Sequence, residues 1–363
     1  MGEIQQESDL FILSVAATYE VDLWGRIKAL VSAAELGVRA SREDLETIAM
    51  TLASQVAETW FGIAEQRSQL SLIEEQLGLG KTFLALVELR FSLGQAAAVD
   101  VYQQRLQVAS TQSQVPLVEA QLAVLENRLA VLTGRAPGDL PASLPESLPP
   151  PPPLPELGLP SDLLQQRPDV KAAHLRIQAA DHRLGAAIAD LYPALRLGGS
   201  VGFQWREIEK VFDNWVYQLA VGLAGPIYDG GRRGAEVDRK KALLEELLQR
   251  YREVLLGALR EVNDALVLED RQGSYLVDLD GQIALSKKTL ERSRFRYGSG
   301  LSDYLPVITV LQALQGLQRT EVNARRQNLS YRIQLHRALG GDWAKALEPA
   351  DPVAGSQLSG DIP

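Results

Sequence analysis

The chain has 363 residues, 46% of them hydrophobic and 23% charged, with a formal net charge of -9 and no cysteine. A charge of that sign argues against nucleic acid as a partner, because phosphate binding needs a basic face. Without cysteine there can be no disulfide, thiolate metal site, cysteine nucleophile or lipid-bearing N-terminal thiol in the chain as given.

Aromatic residues make up only 6%, and Leu, Ala, Gln and Glu recur over long stretches, a composition that favours long packed helices. No apolar run reaches the roughly 18 residues of a membrane-spanning helix, which leaves a β-barrel as the other way across a bilayer. The opening residues Met1 to Ile4 lack the basic and apolar regions of a secretory signal.

The chain repeats itself at a spacing of 206 residues: Leu13 matches Leu219, Gly25-Arg26 matches Gly231-Arg232, and Arg90 matches Arg296. The register continues through Gly94 and Gly300, Val101 and Val307, and Gly134 and Gly340 without a gap. The matches fall at glycines and apolar positions, where backbone geometry and packing choose the residue, so the chain is read as two copies of one unit.

Residues 1–24 are read as a barrel strand of the first unit. Phe11, Leu13, Val15, Ala17, Tyr19 and Val21 alternate with Ile12, Ser14, Ala16, Thr18, Glu20 and Asp22, the period of two expected of a strand. Residues 25–134 form the first helical arm. From Ile27 to about Ser92 no proline interrupts the pattern, which predicts a helix of about 65 residues and roughly 100 Å. Such a length requires a coiled-coil partner, supplied by the stretch carrying Leu122, Leu125, Leu129 and Leu132.

Residues 135–168 form a proline-rich connector, with Pro149 to Pro153, Pro155 and Pro160 stiffening it as polyproline. Residues 169–194 are predicted to be a helix, opened at Arg167-Pro168-Asp169-Val170 with proline at a tolerated early position. Residues 195–227 read as a transmembrane hairpin. Leu195, Leu197, Gly199, Val201, Phe203 and Trp205 mark one face of its first strand, and Trp215, Tyr217, Leu219, Val221 and Leu223 one face of its second. Eleven tilted residues span roughly 25–30 Å, the height of a barrel strand in lipid. Trp205 and Trp215 at the loop end, with Tyr192 and Tyr228 at the other, are placed as membrane-interface aromatics. Residues 228–341 repeat the helical arm, with Leu311, Leu314 and Leu317 on its return leg, and residues 342–363 form a tail.

Apparent enzyme motifs do not survive their context. Gly198-Gly199-Ser200-Val201-Gly202 has the spelling of a nucleophile elbow but lies inside an alternating strand. Gly78-Leu79-Gly80-Lys81-Thr82 resembles the end of a phosphate loop but has Glu75 where the first glycine is required. His174 and His182 are about 12 Å apart along a helix, too far to share a metal ion, and no cofactor is expected.

In Tyr19-Glu20-Val21-Asp22-Leu23-Trp24-Gly25-Arg26, in Gly158 to Leu164 through Arg167-Pro168-Asp169-Val170, and in Gly225-Pro226-Ile227-Tyr228-Asp229-Gly230-Gly231-Arg232, the chain resembles the outer-membrane efflux proteins of the TolC type, most closely the OprM-like (NodT-type) branch. The resemblance covers essentially the whole chain. It implies a mainly helical protein with a transmembrane β part: a homotrimer whose antiparallel strands close one barrel in the Gram-negative outer membrane, continued by a helical tunnel into the periplasm. It also implies a passive exit duct for drugs or other small molecules, working with a periplasmic adaptor protein and an inner-membrane pump, and not an enzyme.

The resemblance places the turns after the two long helices at the periplasmic tip. Arg90, Phe91 and Gly94, with Arg296, Tyr297 and Gly300, would meet the adaptor, and acidic residues six positions beyond the glycines would narrow the aperture. The first unit has Asp100 there; the second has Pro306, with Asp303 nearby, so Asp100 and Asp303 are the aperture candidates. Two other readings compete: a periplasmic adaptor, which would carry compact lipoyl-like and barrel modules, and a soluble coiled-coil scaffold, which has no reason for strands of lipid height. The repeat also predicts a strand before Met1, so the chain is expected to be an N-terminally shortened form supplying three strands where the repeat calls for four.

Overall fold

A computed structural model describes residues 11–139, 144–154, 166–205 and 215–341. In chain order the elements are β1 (Phe11–Val21), α1 (Arg26–Ser92), α2 (Ala98–Gln112), α3 (Val115–Leu132), α4 (Pro168–Ala189), β2 (Ala194–Trp205), β3 (Trp215–Ala224), α5 (Arg232–Gly298) and α6 (Leu305–Ala338). The two long helices have 67 residues each, and no helix among the described residues is long and apolar enough to cross a membrane. The chain divides into two compact units, Met1–Asp44 with Asp169–Leu255 and Leu45–Pro168 with Leu256–Pro363.

The first unit holds one antiparallel sheet in the order β1-β2-β3. Its register decides what the sheet is for. Leu13 faces Phe203, which faces Trp215; Val15 faces Val201, which faces Tyr217; Tyr19 faces Leu197, which faces Val221. Because cross-strand partners share a face, every apolar set identified along the three strands falls on the same side. The other side carries pairs such as Ala16 with Ser200, Ser200 with Gln218 and Glu20 with Arg196. Among the described residues none covers the apolar side: Leu219 is 84% exposed and Val221 75%. Gly202 is required where β1 crosses β2, since a Cβ there would lie 2.6 Å from the Leu13 carbonyl oxygen.

The helices of this unit pack through small residues. Ala33, Ala40, Ala172, Ala179, Ala186 and Ala189 are all buried, so the axes of α1 and α4 approach closely. α4 opens at Pro168, as its sequence requires, and ends at Ala189, five residues short of the predicted 194. Asp190, Leu191 and Tyr192 turn the chain into β2 through bonds to Ala186, Ile188 and Ala189.

In the second unit the return legs pack on the long helices as the leucine spacing predicts. Leu129, Leu311 and Leu314 are buried, and Leu125 lies 3.3 Å from where a Cβ on Gly62 would stand. The two legs differ. That of the second repeat is the single helix α6, whereas that of the first kinks at Ser113 and Gln114 between α2 and α3. Pro116 is the cause, having no N–H to give to the preceding turn and a ring that crowds it; its repeat partner is Val322. The glycine pairs noted in the repeat, Gly94 with Gly300 and Gly134 with Gly340, end their helices at φ between +69° and +91°.

The connector stretch 144–154 is tied to the helices by two arginines. Arg67 donates to the Pro145 carbonyl at 3.4 Å and to Glu126 at 3.1 Å. Arg332 donates to the Pro152 carbonyl and, from Nε at 2.7 Å, to Glu269. Pro155, Pro160 and Ser161 to Leu164 lie outside the described residues. Glu269 and Arg332 side chains are only 10% and 8% exposed. Replacing Arg332 with Met therefore strands a buried carboxylate, and unfolding followed by circular dichroism is expected to show a loss of about 3–5 kcal/mol. Adding Glu269→Gln should recover much of it.

Candidate channel mouth and membrane belt

The periplasmic-tip candidates belong to the second unit, where α1 and α5 end in the same motif. Gln95 N–H donates to the Arg90 carbonyl at 2.8 Å and Gly94 N–H to Phe91 at 2.9 Å; Leu301 donates to Arg296 at 2.9 Å and Gly300 to Tyr297 at 3.0 Å. Each turn satisfies its helix's last carbonyls through a left-handed glycine. The side chains do not keep this symmetry. Arg90 Nη1 reaches across to the Tyr297 and Gly298 carbonyls at 2.9 and 3.1 Å, and its guanidinium stacks 4.6 Å from the Tyr297 ring centroid. Arg296 stays local, 3.5 Å from the Leu301 carbonyl.

Asp100 and Asp303 line one cavity of about 880 Å³, together with Arg90, Gly94, Tyr297 and Gly300. Asp303 is exposed on the turn before α6. Asp100 also works locally, its Oδ2 accepting the Ala97 N–H at 3.3 Å from the third position of α2. Phe91 is 48% exposed, whereas Tyr297 is only 6% exposed and supports the turn from beneath. Burial, with help from the Asp100 charge, pushes the Tyr297 hydroxyl above its ordinary pKa.

Two residues that the sequence reading missed support the turns. Tyr304 is fully buried and donates to Gln104 Oε1, while Gln104 Nε2 donates to the Gly80 carbonyl at 2.8 Å. Tyr304 packs 5.1 Å from Tyr297 within a core that includes Phe83, Val87 and Val307. An aromatic residue at the mouth of a helix beside a turn aspartate was the available signal.

The membrane-belt candidates belong to the first unit. Tyr192 lies just before β2 and stacks on Trp24 at 4.8 Å between centroids, and Trp24 Nε1 donates to the Pro193 carbonyl at 2.9 Å. Trp205 stacks on Phe11 at 6.2 Å and Trp215 packs on Tyr217 at 5.5 Å. Tyr228, after β3, is 91% exposed. Trp24, which the sequence reading did not name among the interface candidates, joins this set through its stack on Tyr192. Asp22 fixes the adjacent helix start by accepting the Ile27 and Lys28 N–H groups at 3.0 and 2.8 Å, and the Lys28 bond leads in holding its carboxyl below the usual range.

The enzyme-like motifs fall into regular structure. Ser200 sits in mid-strand between Ala16 and Gln218, and Gly78 to Thr82 lie inside α1.

A sheet with an apolar face that no described residue covers, opposite a polar one, is the pattern of a barrel wall in a bilayer. Comparison with known proteins agrees: residues 4–135 and 159–341 match the outer membrane efflux protein family. The chain belongs to that family. The pyoverdine export outer membrane protein OpmQ of Pseudomonas putida is 32% identical over 342 residues, covering 93% of this chain and 72% of the relative. Outer membrane protein OprJ of Pseudomonas aeruginosa is 29% identical over 339 residues, covering 90% of this chain and 68% of that protein. Among solved structures, CusC, in a study of folding and transmembrane channel formation, superposes with a TM-score of 0.87 at 25% identity, covering 94% of this chain and 81% of that one.

As an outer membrane efflux protein the chain is an exit duct of tripartite efflux systems, sited in the outer membrane with a helical tunnel in the periplasm. The family and these relatives are channels and transport components rather than catalysts.

The Arg90 bridge has a measurable consequence. Arg90→Met removes two charge-assisted bonds between the turns, each worth about 1.5–3 kcal/mol before solvent discounting. Hydrogen exchange at residues 296–301 should accelerate by about tenfold or more, with little change in α4.

Proposed function

We propose that the protein acts as a homotrimer, each protomer giving its sheet to one closed barrel in outer-membrane lipid, and passively conducts small molecules handed over by an inner-membrane pump through a periplasmic adaptor. The single observation that carries this reading is the register of β1, β2 and β3, which gathers the apolar residues on one uncovered face. Three strands cannot close on themselves, and unpaired edge amides in hydrocarbon cost several kcal/mol each; copies of the chain joined edge to edge remove that cost.

Asp100 and Asp303 are proposed as the aperture. Carboxylates repeated around a threefold axis form a negative ring that favours cations, and the shared cavity at the turns supports the assignment. The exposed parts of the two turns, Phe91 and Gly94 with Arg296 and Gly300, are the proposed adaptor contacts, held in shape by Arg90 and Tyr297. Tyr192, Trp205, Trp215 and Tyr228 are proposed to sit at the two lipid interfaces. Cargo class follows the pump: one relative is described by its export of pyoverdine and another as part of a cation efflux system, and a wide duct accommodates both kinds.

The protein in mild detergent should have the mass of a trimer, and in planar bilayers it should conduct with a preference for cations. Replacing Asp100 and Asp303 together by Ala should weaken that preference and raise conductance. A monodisperse monomer would contradict the assembly, and unchanged selectivity would contradict the aperture assignment.

A further inference from the structure

The duct reading leaves a second cavity unexplained, in the first unit just below the sheet. It has a volume of about 390 Å³ and lies between α1, α4 and α5. It is lined by apolar residues, Leu30, Ala33 and Ala34 of α1 with Ala186 and Ala187 of α4, and by the cations Arg26, Arg183 and Lys240. Two carboxylates, Asp190 and Glu236, also line it.

The carboxylates are already engaged. Glu236 takes both Arg239 Nε and Nη2 at 2.7 Å, and that bonding holds its carboxyl down at about 2. Asp190 is 3.8 Å from Arg233, and its carbonyl accepts Arg233 Nη1. Arg26 is tied to Glu20 by Nε at 3.0 Å and Nη2 at 2.7 Å. Two cations are left with coordination to spare. Among the described residues Lys240 reaches only the shared Glu236, at 3.5 Å, and Arg183 has no ion-pair or hydrogen-bond partner. A guanidinium with five open donors beside an apolar lining is a ready fork for an oxyanion attached to a hydrophobic body.

The side of the protein is fixed by Glu20. It lies on the polar face of β1 opposite Arg196, and Arg26, bonded to it, carries that face down into the cavity wall. A solute following the polar face of the sheet therefore meets Arg26, which lines the same cavity as Arg183.

We infer that this cavity is a subsite on the wall of the passage for amphipathic organic anions, a carboxylate or sulfonate held by Arg183 and Lys240 with its apolar body against the lining alanines. The inference rests on the duct reading for the direction of traffic, but its binding chemistry can be tested apart from conduction. It sets an anion station within a chain of net charge -9, so a passing anion would be held only weakly.

The test is isothermal titration of the detergent-solubilised full chain with 2-naphthalenesulfonate, alongside neutral 2-naphthol. Variants Arg183→Gln and Lys240→Gln remove the spare charges without touching a structural ion pair of the sheet junction, and circular dichroism checks that they fold. The sulfonate should bind the parent protein, bind about tenfold or more weakly to Arg183→Gln, and lose affinity with added salt; 2-naphthol should bind less well and be indifferent to both variants. No binding, equal binding of the two probes, or unchanged affinity in both variants overturns the inference. Bilayer conductance of the same preparation reports on the duct reading alone: a conducting protein that fails to distinguish the probes refutes the subsite and leaves the duct standing.

Discussion

A backbone amide in hydrocarbon has no water to bond, so a strand there must be paired on both edges and present apolar side chains outward. The rest of this chain is organised around that demand. The register places Leu13, Phe203 and Trp215 on one side and Ser200, Gln218 and Glu20 on the other. The same register makes Gly202 necessary, where a side chain would strike β1. It also leaves two sheet edges that only further strands can satisfy, which turns a question of local pairing into one of assembly.

Below the sheet the problem is length rather than lipid. Helices of 67 residues cannot be held by propensity and need partners along their whole course. The first unit meets this need with alanines that let helices approach closely. The second uses leucines together with a polar seam: Gln76 Nε2 donates to Gln318 Oε1 at 3.0 Å, and Gln107 to Gln315 Oε1 at 2.7 Å. Gln76 and Gln315 are buried. Buried amides of this kind bond well only in one alignment, so they fix the register of the return legs against the long helix.

Much of this was legible in the sequence, because period two, period 3.6 and the 206-residue repeat are local or translational signals. β1, β2 and β3, both long helices and the glycine-ended turns all followed from them. The lateral contacts were not legible. Nothing in one strand's alternation says that Val15 meets Val201 and Val201 meets Tyr217, and no spacing announces that Arg90 leaves its own turn to stack on Tyr297. Asp100 was identified through resemblance as an aperture residue, while its capping bond to Ala97 depends on a backbone geometry that only the fold displays. The kink at Pro116 could have been read from the proline alone; the strong leucine pattern after it masked the break.

The central claim is that one face of the sheet meets lipid and the other an aqueous passage. The chain contains no cysteine, so a single thiol can be placed at will. Spin labels at Leu219→Cys and Gln218→Cys, neighbours on opposite faces of β3, can be compared in reconstituted bilayers for relaxation by lipid-soluble oxygen and by a water-soluble nickel chelate. The account predicts that the label at 219 responds to oxygen and the label at 218 to nickel. Equal response of both labels to nickel would contradict it.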